Sequence, residues 1–299
     1  MTVTGATGLI GRRLVAALRE DGTHVTVLSR DPERARGALG EVEAVAWDLA
    51  DSAAPADALA GRDAVVHLAG APVAQRWSSN GKRAIRDSRV IGTRNLLEGL
   101  QASEPRPSVL VSSSAIGYYG PHGEEPIDEE APPGRDFLAQ VCVEWEAEAA
   151  RASGLGMRVV QVRTGVVIDR AGGALARMLP PFRLGIGGPV AGGRQFISWV
   201  HPDDLVGIMR AAIEDPRWSG PVNGTAPEPQ SNRDFSRALG SVLGRPAFLP
   251  LPGAALRALY GEMAEIVTRG ARVVPARALV LGYSFRHPQL TAALRDALA

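Results

Sequence analysis

With a single cysteine in 299 residues, the chain can form no intramolecular disulfide and shows no thiolate spacing that would hold a metal. That residue, Cys142, reads as a small buried apolar side chain. An excess of either charge is missing too. Lys and Arg number 33 against 32 Asp and Glu, a net charge of +1, so nothing draws the chain to nucleic acid or to an anionic membrane. No apolar run approaches a membrane span. The N-terminus shows no basic region followed by an apolar stretch and a cleavage site, and no repeat or low-complexity segment occurs. These absences lead to the expectation of a soluble, cytoplasmic protein without a metal ion. Apolar residues are plentiful: 45% of the chain is hydrophobic, enough for one large α/β domain or two smaller lobes.

The opening "MTVTGATGLIGRRLVAALREDGTHVTVLSRDPERA" has the pattern of a βαβ unit. A short strand, Thr2 to Thr4, runs into Gly5-x-x-Gly8-x-x-Gly11. A helix follows, ending near Gly22, and "HVTVLSR" is a second apolar strand. Gly5 allows the sharp turn, Gly8 lets backbone approach a pyrophosphate, and Gly11 lets the helix pack on the strand. The N–H groups of the turn and helix start, around Thr7, Leu9 and Ile10, then face the anion, with the helix dipole adding attraction. This context favours dinucleotide binding over a merely structural turn. The end of the second strand chooses between coenzymes. An NAD site places an acidic residue there, whereas this chain has Ser29 and Arg30, then Arg34 one helical turn on. Guanidinium groups suit a 2′-phosphate, so NADP(H) is favoured over NAD(H); the competing view is that both arginines are solvated surface charges.

Further strands follow: "EVEAVAWDLAD", with Asp48 and Leu49 at its end; "DAVVHLAGAP", closing in Ala69, Gly70 and Ala71; "PSVLVSSSAIGYYG"; and "MRVVQVRTGVVI". Helices are expected over roughly 80 to 100 and 135 to 150. Strands alternating with helices imply an α/β fold, a Rossmann-like doubly wound parallel sheet. Ligands in such sheets sit at the carboxyl ends of the strands. Gly5 to Gly11, Arg30, Asp48, Ala69 to Ala71, Ser112 to Ser114, and Thr164, Gly165 and Val166 all fall there. The expected division is a coenzyme-binding domain over 1–222, onto which later elements fold back, and a smaller C-terminal substrate lobe over 223–299.

"TGATGLIG", "HLAG", "IGTRNLLEGL", "SSSAIGYYG" and "VHPDDLVGIMRAAI" together resemble the short-chain dehydrogenase/reductase superfamily, in its extended epimerase/dehydratase branch. The C-terminal "LYGEMAEIVTRGARVVPARALVLGYSFRHPQLTAALRDAL" is similar to the short terminal domain of an atypical group within it, the epimerase-family proteins. The resemblance covers essentially the whole chain. It implies that a Ser after the fifth strand orients the reacting oxygen and that a Tyr, four residues before a Lys, exchanges the proton that must accompany hydride transfer. Ser114 matches the first of these. The helix that would carry the other two reads Phe137 to Val141, or Leu138 to Cys142 if shifted by one, and holds neither phenol nor ammonium. The Asn that precedes "xxGT" in the superfamily is replaced, in the helix expected over 80 to 100, by Arg89, whose equivalent faces the cofactor in the superfamily.

Tyr118 and Tyr119 are candidates for the lost proton donor, although shaping the loop wall explains both more simply. Lys82 is expected to be a solvated helix charge and His67 a packed neutral imidazole. Asp203 and Asp204 are explained by helix capping. Arg194, in a Gly-rich loop, is a candidate for pairing with substrate, yet the superfamily's substrate-phosphate Arg aligns with Ile197. Two functions therefore compete. One is an NADP(H)-dependent epimerase- or oxidoreductase-like enzyme, monomer or homodimer, acting on a small polar molecule such as a nucleotide sugar. The other is a non-catalytic NADP(H)-binding sensor or partner protein.

Overall fold

Runs of β-branched residues with no polar face form strands that must be covered on both sides. In the computed structural model, which describes residues 1–299, Val3, Val27, Val66, Val111 and Val160 are fully buried. They belong to β1 (Thr2–Thr4), β2 (Thr26–Ser29), β4 (Ala64–His67), β5 (Val109–Ala115) and β6 (Arg158–Thr164). With β3 (Glu43–Ala46) and β7 (Gly220–Gly224) they make one seven-stranded sheet, parallel throughout, in the order β3-β2-β1-β4-β5-β6-β7.

Helices α1 (Leu9–Glu20), α2 (Pro32–Leu39) and, later in the chain, α6 (Pro202–Glu214) cover one face. Leu14, Leu18, Ala35, Val206 and Met209 pack there against the valines just named. On the other face, α3 (Ser79–Ala102) sets Leu96, Leu97 and Leu100 against Val65, Leu110 and Val159, and α4 (Phe137–Ala150) lies beside it. Strand order reverses between β1 and β4, and the crevice opened by that reversal is where a doubly wound sheet takes its ligand.

The helix starts follow from capping chemistry. Ser78 accepts from Gly81 N–H, Asp136 from Ala139 N–H and Asp31 from Arg34 N–H. Helix α1 differs: Gly8 precedes it and no side chain caps it. The capping expected of Asp203 and Asp204 is corrected. The cap of α6 is His201, whose Nδ1 accepts the Asp203 N–H.

The C-terminal portion is built onto the sheet. Helices α5 (Gly173–Arg183) and α7 (Asn232–Leu243) and the last helix, Leu290–Leu298, share a core of Leu175, Phe182, Trp199, Phe235, Leu239 and Leu294. Strand β7 spans the expected division between residues 222 and 223 and is the edge of the main sheet. Asp204, buried at the start of α6, accepts the N–H groups of Arg286 and His287 at 2.7 and 2.9 Å. It ties the terminal segment to the sheet and does not cap its own helix.

Candidate functional site

At the end of β1 the chain turns with Gly5 at φ 67°, a conformation that favours glycine. A Cβ there would come within 2.7 Å of the Leu68–Ala69 peptide, and one on Gly11 within 2.4 Å of the Gly5 oxygen. These two glycines bring turn, helix and β4 into contact. Gly8 is exposed and has ordinary dihedrals, and a Cβ there would press to 3.1 Å on the Gly5 carbonyl oxygen. Thr7 turns its carbonyl to Arg12 Nε, and the Leu9 side chain lies against Gly172. Beneath the turn, Thr4 Oγ1 meets His67 Nδ1 at 2.7 Å and accepts from Ala69 N–H, so the ends of β1 and β4 are knitted together. An uncapped helix start above a glycine turn at the sheet's switch point is a cradle for a pyrophosphate.

Next to it, Ser29 Oγ donates to the Asp31 carbonyl. Arg30 and Arg34 are both exposed, and neither guanidinium has a carboxylate within ion-pair distance. Asp48 spends one carboxylate oxygen on the N–H of Ala50, and the Leu49 carbonyl accepts from Asn95.

On the far side of the crevice two of the candidate hydroxyls already have partners within the chain. Ser114 is buried, and its hydroxyl donates to Glu146 Oε1 at 2.6 Å. Glu146 also holds Arg163 in two bonds of 2.8 Å. Arg163 in turn donates to the Tyr119 hydroxyl, which donates to Asn223. Tyr119 is therefore interior and not at the mouth of the site; burial, opposed by Arg163, pushes its phenol up to about 12. Tyr118 is half-buried with its ring centroid 3.5 Å from the Arg163 guanidinium, and its hydroxyl has no protein partner. Ser112 is buried and bonds the carbonyl of Ser113. Thr164, Gly165 and Val166 close the end of β6, where a Cβ on Gly165 would strike the Ser198 carbonyl.

Phe137, Val141, Trp145 and Ala149, four residues apart, share one face of α4; the last three are buried and Phe137 is half-buried. The positions facing the end of β5 are Leu138 and Cys142, which lie under Gly117. Burial raises the Cys142 thiol to about 12, so at neutral pH it carries no charge. Phe137 stands edge-on to Trp77, with Lys82 over its ring; Lys82 pairs with Glu262 of the terminal segment and so is not a freely solvated charge. Arg89 reaches back to the loop after β4, donating to Ala71 O at 3.1 Å. Arg194 is exposed, and Ile197 sits half-buried opposite Gln230.

The sequence reading missed Glu146, Arg163, Glu129 and Asn223. Glu129 is buried and accepts the N–H groups of Asn223 and Arg277. One signal was available: a strand as apolar as "MRVVQVRTGVVI" does not bury Arg163 without a carboxylate to meet it.

The profile of the NAD dependent epimerase/dehydratase family matches residues 1–223, and that of a domain of unknown function, DUF1731, matches residues 251–297. The chain belongs to the NAD-dependent epimerase/dehydratase family. Its relatives include the epimerase family protein SDR39U1 homolog, chloroplastic, of Arabidopsis thaliana, 43% identical over 99% of this chain and 85% of that protein. The epimerase family protein YfhF of Bacillus subtilis is 34% identical over 100% of this chain and 98% of its own. Among solved structures, human SDR39U1 (isoform 2) with NADPH superimposes with a TM-score of 0.89 at 37% identity, covering 99% of this chain and 98% of that one. The chain's fold is the Rossmann-like sheet described above with a smaller C-terminal lobe, and its glycine cradle suits a nicotinamide dinucleotide. No helix of the chain is long and apolar enough to cross a membrane.

Proposed function

We propose that the chain is an NADP(H)-dependent epimerase- or oxidoreductase-like enzyme of the extended short-chain type, acting on a small polar substrate such as a nucleotide sugar. The observation that carries the coenzyme choice is the pair of unpartnered guanidiniums, Arg30 and Arg34, at the end of β2 beside the uncapped start of α1. In this reading the N–H groups of Leu9, Ile10 and Gly11 hold the pyrophosphate. Arg30 and Arg34, with Ser29, hold the 2′-phosphate. Asp48 and Leu49 border the adenine side, and Ala69 to Ala71 with Ser112 and Thr164 to Val166 border the other half. The human relative solved with NADPH supports the same choice.

When bound, the nicotinamide supplies hydride exchange at a substrate carbon. The chain must then move a proton at the neighbouring oxygen. We assign that task to Tyr118, a half-buried tyrosine whose phenol has no hydrogen-bond partner in the chain. Ser114, its proton given to Glu146, keeps its oxygen lone pairs as acceptors for a substrate hydroxyl, and Arg194 is the candidate for a substrate anion.

The second reading, a non-catalytic NADP(H)-binding sensor, is favoured by one observation: Leu138 and Cys142 stand where a proton-transferring pair would face β5. A screen of the purified protein with NADPH against carbonyl compounds and nucleotide sugars separates the two. The enzyme reading expects turnover that falls at least a hundredfold in Tyr118→Phe. Tight NADPH binding with no consumption anywhere in the screen leaves the sensor.

A further inference from the structure

A guanidinium drawn out of water needs a partner, and Arg89 is half-buried with no carboxylate beside it. Two consecutive residues of α3 hold the loop that follows β4. Ser88 Oγ accepts the Ala71 N–H at 2.9 Å, and Arg89 Nη1 donates to the carbonyls of Ala71 and Ile85 at 3.1 and 3.0 Å. That leaves Nε and Nη2 without a protein acceptor. The guanidinium lies 5.1 Å from the Trp145 ring centroid and directly under exposed Gly70, where a Cβ would come within 3.3 Å of its central carbon. Cys142 is close by, but its neutral thiol is no counter-ion.

The position of this group along the crevice limits what can complete it. A dinucleotide centred on the start of α1 sends its adenosine towards β2, where Arg30 stands, so its other half must run over the ends of β4 and β5. Residues 69 to 71 are the first backbone it meets there. A cation aimed at that loop faces the second ribose, whose two adjacent hydroxyls match the two parallel donors of a guanidinium edge. The loop itself offers little else: Ala69 N–H is spent on Thr4 Oγ1 and Ala71 N–H on Ser88 Oγ.

We propose that Arg89 forms the subsite for the vicinal hydroxyls of the nicotinamide ribose, with Nε and Nη2 as donors and Gly70 as the opening above them. The proposal rests on the reading of the protein as an NADP(H) binder. Cys142 leaves α4 without a cation at the end of β5, and the positive charge enters from α3 in its place. Burial lowers the Arg89 pKa from an ordinary value so high that the group stays charged at neutral pH.

The test compares two ligands on the full-length chain by calorimetry: NADPH, and adenosine 2′,5′-bisphosphate, which has the 2′-phosphate but no nicotinamide ribose. Arg89→Met keeps the aliphatic stem and removes the donors. It is expected to weaken NADPH roughly ten- to hundredfold, as for a lost charge-assisted bond, and to leave the bisphosphate unchanged. Arg89→Lys should recover part of the NADPH loss; if the Met variant does not fold, the Lys variant alone is expected to show a smaller loss confined to NADPH. Equal weakening of both ligands would make Arg89 a structural prop of the loop, and no weakening of either would also overturn the subsite. If the wild-type chain binds neither ligand, the coenzyme reading itself fails, an outcome distinct from a failure confined to the variants.

Discussion

Glu146 on α4 and Arg163 on β6 face each other through two hydrogen bonds of 2.8 Å, and both side chains are buried. Around them Ser114, Tyr119 and Asn223 close a continuous polar network inside the sheet's α4 side. Burial alone would lower the Arg163 pKa, but the bonds and charge of Glu146 outweigh it and hold the guanidinium firmly protonated.

Removing one partner of such a pair costs more than the pair contributes, because the remaining charge is stranded. Glu146→Gln is therefore expected to destabilise the fold by about 3–5 kcal/mol in urea unfolding. The double variant Glu146→Gln/Arg163→Met should be clearly milder than the sum of the single changes. Strict additivity would show that the two groups do not interact.

His67 is fully buried, with Nδ1 on Thr4 Oγ1 and Nε2 unpartnered. Burial, with a smaller push from Arg89, lowers its pKa from 6.5 to about 4. Between these values the unfolded chain binds a proton that the folded chain refuses. Stability is complete above pH 6.5, falls as the pH drops towards 4, and then levels off. The loss is on the order of 3 kcal/mol. Unfolding of His67→Gln should show a flatter dependence over that window, with His201, also lowered by burial, supplying the remainder. An identical slope in variant and wild type would remove His67 as the cause.

Asp204 is the anchor of the terminal segment, accepting the N–H groups of Arg286 and His287 while its own carbonyl accepts from the Tyr283 hydroxyl. Asp204→Ala strands both N–H groups and should cost about 2–4 kcal/mol. Limited proteolysis of the variant is expected to cut first between residues 280 and 290. Protection equal to the wild type would mean that the shared core around Trp199 and Leu294 holds the segment unaided.

Arg30→Ala should weaken NADPH at least tenfold and change NADH little, since only the former carries the 2′-phosphate. Parallel titrations decide it. Equal losses would return Arg30 to the solvated surface.

The first βαβ unit was legible in the chain because its causes are local. Turn glycines, an apolar strand on either side and an amphipathic helix between them depend on neighbours a few residues apart. The same holds for the helix over 137–150 and for the absence from it of a phenol and an ammonium. What Ser114 and Tyr119 do was not local. Each lies on a segment whose pattern allows it to face either the crevice or the interior, and the choice fell to Glu146 and Arg163, which are 17 residues apart in sequence and meet only when α4 packs across β5 and β6. Likewise Asp203 and Asp204 carry the composition of a helix start, yet a histidine two residues earlier caps the helix and a segment 82 residues further on claims Asp204. Sequence determined which elements form and which chemistry is missing. Tertiary packing decided which polar groups are consumed inside the fold and which, like the Arg30 guanidinium and the Tyr118 hydroxyl, find no partner within it, because a buried charge is satisfied by whatever partner the topology brings to it.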